Sequence, residues 1–397
     1  MTSPQPELSP SSSNRKLVLA GQIAFLPTGI LTTLLGPMLP ILIARWGMND
    51  TQAGNLFLVQ FLACLAGVQL SGVLLARWGF RPAFLSGLLL MAGGVATLYM
   101  GSLWLGLISV AAYGLGLGLM IPTDNLLIAE IGSSSGSGAS SRVSSRASAV
   151  SLLNFFWGVG AVFCSLMVAW TAAHKLLPFF LGAVALFLVL LALAMRNLPF
   201  PVAAIKSAES SVSWRELAKS PAIWIFAAIF FLYPGAETAV GGWIGSYVSR
   251  LGSRGAAMAS MMPAFFWSAL TLGRALGTAF LHHFSERRIL RAGYAAGAAG
   301  IALMLWAPSL PGVIGGALIT GLSFATLYPI TVARLSHRFG VAARSIGAVM
   351  FSLAAVGPAV IPWMVGVISH VTGSLRAGLL LPLGATVILF LIHLFEW

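Results

Sequence analysis

The sequence has very little charge. Of its 397 residues only 8% are Asp, Glu, Lys or Arg, and only nine of these are acidic, whereas 58% are hydrophobic. Soluble globular proteins carry about 25% charged residues, so the composition excludes that class. Runs of about 20 apolar residues, the length that crosses a bilayer as a helix, recur along the whole chain. Because the runs are continuous and do not alternate, they predict an all-α integral membrane protein.

Several kinds of chemical site are also missing. Cys64 and Cys164 both fall in apolar runs, which predicts small core residues and no disulfide. The six histidines lie near the ends of these runs without metal-ligand spacing, and the sequence has no phosphate-binding loop or nucleophile elbow. We therefore predict no enzyme, no cofactor and no metal. The basic residues are scattered singly, so the net charge of +13 does not predict a nucleic-acid partner.

Glycines, prolines and charged residues divide the chain into twelve predicted spans. They lie at about 17–44, 51–76, 82–100, 103–131, 148–172, 176–196, 221–249, 256–283, 289–307, 311–333, 345–369 and 377–395. With the N-terminus in the cytoplasm, sixteen Lys and Arg residues face the cytoplasm and five face the other side, while Arg274 lies within a span. This bias follows the positive-inside rule and predicts cytoplasmic termini in a plasma membrane, with loops short enough for a bacterial inner membrane.

Internal similarity predicts two related six-helix bundles. FLPTGILTTLLG (25–36) aligns with FLYPGAETAVGG (231–242) at an offset of 206 residues, and GLGLGLMIP (114–122) aligns with GLSFATLYP (321–329) at an offset of 207. The predicted organisation is a disordered cytoplasmic tail at 1–16, an N-terminal bundle at 17–196, a cytoplasmic linker at 197–220 and a C-terminal bundle at 221–397.

A duplicated chain of six plus six spans resembles the major facilitator transporters. The segment GVLLARWGFR (72–81) resembles the loop signature that this superfamily carries between spans 2 and 3, and Ala76 occupies its usual acidic position. The residues that fit the signature are Gly72, Leu74, Arg77, Gly79 and Arg81. The resemblance implies a gating role for this loop, with Ala76 as a departure that weakens the usual charge relay.

A narrower resemblance links the chain to the fucose and glucose/galactose symporter branch, which includes sodium-dependent glucose transporter-like relatives. It rests on YPGAETAVGGWIGSY (233–247), FFWSALTLGRALG (265–277), GLSFATLYPI (321–330), VGPAVIPWMVG (356–366) and NFFWGVGAV (154–162). It implies a cation-coupled carrier that moves a monosaccharide by alternating access. We expect a monomer whose partners are the solute, a proton or a sodium ion, and the lipid bilayer.

Two acids within predicted spans are the candidate cation-coupling residues. Glu237 lies about 16 residues into span 7, near the bilayer midplane, where a charged side chain costs at least about 2.5–3.5 kcal/mol. The repeat aligns it with Leu31, so the fold itself does not require an acid there. Asp124 of span 4 is the second candidate. For each, the alternative is a structural acid that is hydrogen-bonded to the protein.

Arg274 is the basic residue that lies within a span, and it needs an acid, carbonyl groups or water. Its candidate partners are Asp124 and Glu237, although the side chain could also extend to the membrane interface. A sugar offers hydroxyl groups at its rim and C–H groups on its faces, so it is bound by amides and aromatic rings. The candidate substrate-binding residues are Gln22, Gln60, Asn125, Asn154, Trp157, Trp243, Trp267 and Tyr328.

Two other functions stay open at this point. An aromatic and mostly apolar cavity is also typical of a proton-coupled efflux antiporter for drugs or other hydrophobic solutes. A membrane sensor that is built on a carrier fold and transports nothing is a further alternative. The sequence does not name the solute, the ion or the direction of transport.

Overall fold

The computed structural model describes residues 12–133, 139–201 and 219–395, and it describes side chains outside 12–16, 129, 132–151, 278–282, 341 and 343–345. In these ranges every regular element is a helix, as predicted. Eleven of the described helices are long and apolar enough to cross a membrane, and one further pair at the start of the chain, bent by 43°, raises the number to twelve. The chain is therefore a multi-pass membrane protein.

We number the spans in chain order. Their helices are Ser12–Thr33 with Leu35–Trp46 (span 1), Asp50–Trp78 (span 2), Phe80–Thr97 (span 3), Leu103–Ser133 (span 4), Ala139–Ala173 (span 5), Leu177–Met195 (span 6), Pro221–Val248 (span 7), Ser253–Met258 with Met262–His283 (span 8), Glu286–Trp306 (span 9), Leu310–Phe324 with Leu327–Phe339 (span 10), Ala343–Thr372 (span 11) and Leu375–Phe395 (span 12). Short 3₁₀ turns at Ala259–Met261 and Gly340–Ala342 connect helices in and after these spans.

The boundaries differ from the predicted ones by five or more residues at the starts of spans 1 and 5 and at the end of span 10, and span 5 begins at Ala139 and not at about 148. The first helix begins at Ser12, within the predicted tail, while residues 1–11 lie outside the description. Span 10 reaches Phe339 and is interrupted between Phe324 and Leu327. Most of the predicted linker, 202–218, lies outside the described residues, so the domain boundaries stay a prediction.

Spans 1–6 and spans 7–12 form two helical bundles. We call the face that holds Ser12 and Phe395 the termini face, and the opposite one the distal face. Spans 2 and 11 pack together between the bundles, as do spans 5 and 8 and spans 1 and 7. At the start of span 2, the Asn49 side chain accepts from the Gln52 amide nitrogen (2.9 Å) and the Gln52 side chain accepts from the Asn49 amide nitrogen (3.0 Å). This capping box stabilises the N-terminal end of span 2, which lies at the distal face, and so places the adjacent Asp50 at that face.

Polar contacts join the two bundles at the distal face. Asp50 accepts hydrogen bonds from Arg250, the residue that follows span 7 by two positions (Nη1–Oδ2 3.0 Å), and from Ser369 of span 11 (Oγ–Oδ2 2.5 Å). Close by, the Trp363 indole donates to the Asn55 side-chain oxygen (3.0 Å). At the distal face the bundles are therefore joined by the Asp50 carboxylate, which contacts Arg250 and Ser369, and by the Trp363–Asn55 hydrogen bond.

Candidate functional site

Glu237 lies in the middle of span 7, in a helix that continues through Pro234. Its Oε1 is 3.9 Å from Nη2 of Arg274 on span 8, and its Oε2 is 2.5 Å from the hydroxyl oxygen of Tyr233, one helical turn earlier. The Glu237 side chain is 13% exposed and that of Arg274 is 24% exposed. The ion pair is thus mostly enclosed by protein but still reachable by a small solute or by water. Of the two acids predicted as partners of Arg274, the structure brings Glu237 to it.

Span 8 presents three polar groups that are buried and have no hydrogen-bond partner among the described residues. They are Nε1 of Trp267, Oγ1 of Thr271 and Nε of Arg274. Their spacing of four and then three residues places them on one face of the helix. Leaving such groups unpaired costs about 1–3 kcal/mol each, so this donor stripe, Trp267, Thr271 and Arg274, is suited to a ligand that supplies acceptors.

Trp157 of span 5 faces the donor stripe. The Arg274 guanidinium carbon is 5.4 Å from the centroid of the Trp157 ring, and the Trp267 ring meets the same indole edge-on at 5.7 Å. Gly158 makes this approach possible, because a methyl group at its position would lie 2.7 Å from the Thr271 side chain. An indole face beside a row of donors is the combination that a hydroxylated ring requires.

Hydrogen bonds continue from Trp157 into the N-terminal bundle. Its Nε1 donates to the Thr32 hydroxyl of span 1 (3.4 Å), and the Thr32 carbonyl accepts from the side-chain amide of Gln60 on span 2 (3.2 Å). The Gln60 carbonyl in turn accepts from the hydroxyl of Tyr113 on span 4 (3.3 Å). Gln60 is therefore part of a buried network between helices that ends on Trp157.

Asp124 lies apart from this cluster. It is fully buried on span 4, and neither carboxyl oxygen has a hydrogen-bond partner among the described residues. It packs against Gly21 of span 1, where a methyl group would lie 2.5 Å from its Oδ1. Gly21 precedes Thr32 by about 16 Å of helix rise, toward the termini face. Within the described residues, no hydrogen bond or ion pair joins Asp124 to Glu237 or Arg274, so their joint action stays a prediction.

The other predicted binding residues are dispersed. Trp243 is fully buried and donates to the Pro362 carbonyl (2.9 Å), so it packs span 7 against span 11 and has no free donor for a solute. Asn125 donates to the Ile121 carbonyl of its own helix (2.8 Å). Gln22 is half-buried beside Gly21, and Asn154 is exposed on span 5 one turn before Trp157. Tyr328 stacks on Tyr233 with 6.1 Å between the ring centroids.

The loop between spans 2 and 3 has a structural contact to the same bundle. Gly79 has a φ of +78°, a conformation that glycine adopts without strain, and it lets the chain turn directly into span 3. Arg81 donates to the Leu198 carbonyl after span 6 (2.8 Å) and lies 5.8 Å from the Phe200 ring. Gly72 and Arg77 are exposed. The predicted gating role of this loop is not tested by these contacts.

Sequence reasoning missed Tyr233, Thr271 and Thr32 at the centre, and Asp50 with Arg250 at the distal face. Tyrosine and threonine are common in membrane helices, so their types gave no signal. Asp50 did carry one, because it is the only acid that the predicted topology places on the distal side.

A family model decides the identity. The model described as Major Facilitator Superfamily matches residues 23–362. The chain belongs to the Major Facilitator Superfamily. The predicted superfamily and fold are thereby confirmed, and so is the prediction of a transporter and not an enzyme.

Two curated proteins are similar to this superfamily member. The "Bypass of stop codon protein 6" of Saccharomyces cerevisiae is 24% identical over 65% of this chain, and the match spans only 55% of the yeast protein's length. An uncharacterised transporter of the same superfamily type from Yersinia pestis is 25% identical over 82% of this chain and 80% of its own length.

Solved structures share the superfamily fold over nearly the whole chain. The nucleoside transporter NupG aligns with a TM-score of 0.76 and 15% identity, covering 95% of this chain and 99% of its own. A D-xylose–proton symporter aligns with a TM-score of 0.72 and 15% identity, covering 96% and 97%. The Escherichia coli fucose:proton symporter FucP aligns with a TM-score of 0.62 and 18% identity, covering 96% and 99%. At these identities the likeness establishes the fold alone.

Proposed function

We propose that this transporter couples the movement of a proton to the uptake of a monosaccharide-like solute, with Glu237 as the coupling acid. The solute binds at the donor stripe of span 8 beside the Trp157 indole once the bundles separate enough to admit it, and Glu237 supplies an acceptor beside it. Sodium is the less favoured coupling ion, because one carboxylate already paired with a guanidinium offers a poor set of oxygen ligands for a metal cation. Asp124 is proposed as a second protonation site nearer the termini face.

The single observation that carries the proposal is the set of unpaired donors on span 8. Three buried donor groups in a row do not fit a purely hydrophobic solute, because that solute would leave them unsatisfied. A sugar supplies an acceptor at each of its hydroxyl oxygens, so one ring can satisfy several of these donors. A D-xylose–proton symporter and a fucose:proton symporter share this fold, which supports a sugar as the solute.

Alternating access follows from the position of this site between the bundles. Span 8 belongs to one bundle and Trp157 to the other, so a solute bound between them contacts both. A solute that contacts both bundles stabilises the arrangement in which they close on it. We place the termini face in the cytoplasm of a bacterial inner membrane, in keeping with the positive-inside distribution.

Uptake by proteoliposomes with an internal pH indicator tests the proposal. A panel of hexoses, pentoses, nucleosides and amino acids is added in turn, with and without a sodium gradient. We expect a monosaccharide to cause solute-dependent internal acidification, and Glu237→Gln to abolish it by removing the titrating group. Exchange of labelled solute at equal pH on both sides should survive in this variant, because the donor stripe is intact.

Glu286→Gln is the matched control, because it removes an exposed acid at the start of span 9. It should leave acidification unchanged. Proton-driven uptake that persists in Glu237→Gln would contradict the assignment of the coupling acid. Solute-dependent currents that require a sodium gradient and do not depend on the pH gradient would identify sodium, and not a proton, as the coupling ion.

An efflux antiporter for hydrophobic cations is the second candidate, because the aromatic rings of Trp157, Trp267 and Tyr328 belong to the same cluster as the Glu237–Arg274 pair. The guanidinium of Arg274 argues against it, since the pair has no net negative charge for a cation to neutralise. Growth protection against a panel of cationic compounds, without sugar-dependent proton movement, would favour efflux. A non-transporting sensor would bind a ligand in a thermal-shift assay and give no flux in either experiment.

A further inference from the structure

Tyr233 is a fully enclosed tyrosine whose single hydroxyl lies between two acceptor groups. Its oxygen is 2.5 Å from Oε2 of Glu237 and 2.7 Å from the carbonyl oxygen of Phe324. Its ring is held by Phe324 at 5.4 Å and by Tyr328 at 6.1 Å, on the two sides of the interruption in span 10. Packing of the ring therefore fixes the position of the hydroxyl oxygen within hydrogen-bond distance of both acceptors.

The number of hydrogen atoms at this site depends on the protonation of Glu237. A tyrosine hydroxyl donates one hydrogen, and a backbone carbonyl can only accept. If Glu237 is ionised, the carboxylate and the Phe324 carbonyl compete for that hydrogen, and the charge-assisted bond to the carboxylate is the stronger one. If Glu237 is protonated, its own hydrogen is donated to the Tyr233 oxygen, and the Tyr233 hydrogen is free for Phe324. Both short contacts are then satisfied.

The Phe324 carbonyl lies at the interruption between the two helices of span 10. Phe324 is the last residue of the distal helix of span 10, and Ala325 and Thr326 separate it from the helix Leu327–Phe339. Pro329 has no amide hydrogen, so the Ala325 carbonyl lacks its usual helical donor and the helix cannot close regularly here. A side-chain donor to Phe324 therefore bears directly on the angle between the two helices of span 10.

We propose that Tyr233 is a positioning residue that transmits the protonation state of Glu237 to the bend in span 10. With Glu237 protonated, Tyr233 donates to Phe324 and holds the two helices of span 10 in one arrangement. With Glu237 ionised, Tyr233 turns its hydrogen to the carboxylate, the Phe324 carbonyl loses its partner, and Leu327–Phe339 takes another orientation at the termini face. The inference rests on the proposed role of Glu237 and adds the path by which a proton moves a helix.

The charged and titratable groups that face this pair come from three other spans. They are Arg274 of span 8, Tyr328 of span 10 and Tyr294 of span 9. Arginine keeps its charge throughout the accessible pH range, and the two tyrosines are uncharged near neutral pH. A change of structure with pH at this place can then be assigned to Glu237 by substitution.

The bend of span 10 can be measured without any solute. Ile319→Cys and Ser336→Cys put spin labels on two exposed positions, one in each helix of the span, in full-length protein lacking Cys64 and Cys164 and reconstituted in nanodiscs. We measure the distance distribution between the labels from pH 5 to pH 9 and expect it to change in a single-proton transition. Glu237→Gln should hold the acid-side distribution at every pH, because the glutamine amide donates to Tyr233 as the protonated acid does.

Tyr233→Phe tests the path itself, because it keeps the ring packing and removes the hydroxyl. We expect the pH-dependent transition to disappear in this variant. Tyr247→Phe is the matched control on the same helix, since the Tyr247 hydroxyl donates to the Leu305 carbonyl (3.0 Å) and the residue lies nearly three helical turns beyond Glu237. It should keep the full transition.

A transition that Tyr233→Phe retains would overturn the proposal, and so would a parent protein with no transition in this range. The outcome is separate from that of the uptake assay. If the transition depends on Tyr233 but no sugar causes acidification, the proposed solute is wrong and the proposed role of Tyr233 stands. If uptake depends on Glu237 but Tyr233→Phe keeps the transition, the proposed role of Tyr233 is wrong and the proposed transport function stands.

Discussion

Thr271 is the residue of the donor stripe that can be altered with the least damage to packing. Its hydroxyl is buried and has no partner within the described residues, and valine has nearly the same shape. We expect Thr271→Val to leave the unfolding temperature unchanged or slightly higher, because no intramolecular hydrogen bond is lost. Binding of the transported solute should weaken about 10-fold, the equivalent of one ordinary hydrogen bond. A thermal-shift titration measures both quantities in one sample.

Thr386→Val is the matched control for this substitution. Thr386 is also buried, but its hydroxyl donates to the Pro382 carbonyl in span 12 (2.8 Å). Loss of that bond should lower the stability by about 1 kcal/mol and leave the affinity unchanged. Equal affinity in Thr271→Val and the parent would contradict a solute site on this face of span 8.

Individual residues also mark the limit of what the sequence can predict about the site. Glu237 and Arg274 stand out because a charge within an apolar run is rare, and the structure pairs them. Trp243 and Trp267 look alike in the sequence, yet one donates to a backbone carbonyl and the indole nitrogen of the other has no hydrogen-bond partner within the described residues. That difference depends on the rotation of each helix about its axis, which hydropathy does not fix when a helix is apolar on all sides.

Spans 1 and 5 cross at a close contact that positions Trp157. Gly29 lies directly against the Trp157 backbone, and Gly160 of span 5 lies against the Leu26 carbonyl of span 1. We expect Gly29→Ala to separate the two helices and cost about 1–3 kcal/mol of stability by overpacking. The Trp157–Thr32 hydrogen bond at 3.4 Å should be lost with it, so solute affinity should fall in parallel. Thermal unfolding and a binding titration measure the two effects.

Gly182→Ala in span 6 is the control for this crossing. No atom lies within 4 Å of a methyl group at that position, so the substitution should be neutral or slightly stabilising. A stability of Gly29→Ala equal to that of the parent would contradict the close crossing.

Proline positions predict where a span can break but not whether it does. Span 1 is interrupted after Thr33 and span 10 at Ala325, and each of these residues lies four positions before a proline, Pro37 or Pro329. In both cases the proline lacks the amide hydrogen that would reach back to that carbonyl. Span 7 nevertheless continues through Pro234. The sequence was sufficient for the number of spans, because length and hydropathy decide it, while the packing around each proline decides its geometry.

At the scale of the whole molecule, the distal contacts would stabilise one of the two states of the proposed alternating-access mechanism. Asp50 contacts Arg250 and Ser369 of the opposite bundle, and Arg250 is 40% exposed, so the pair contributes about 1 kcal/mol or less. We expect Asp50→Asn to raise the ratio of distal-open to distal-closed protein by up to about fivefold. Spin labels at Ser102→Cys and Ser253→Cys, one on each bundle at this face, would report the change as a population at longer distance.

Two companion variants decide whether the effect comes from the ion pair. Exchanging the charges in Asp50→Arg with Arg250→Asp should restore most of the closed population, because attraction across the bundles returns with its sign reversed on each side. Arg254→Gln removes an exposed cation from the same face, four residues beyond Arg250, and should leave the distances unchanged. An Asp50→Asn distribution identical to that of the parent would mean that apolar packing of spans 2 and 11 holds the distal face closed. The equilibrium between the two states would then be set at the Glu237 cluster.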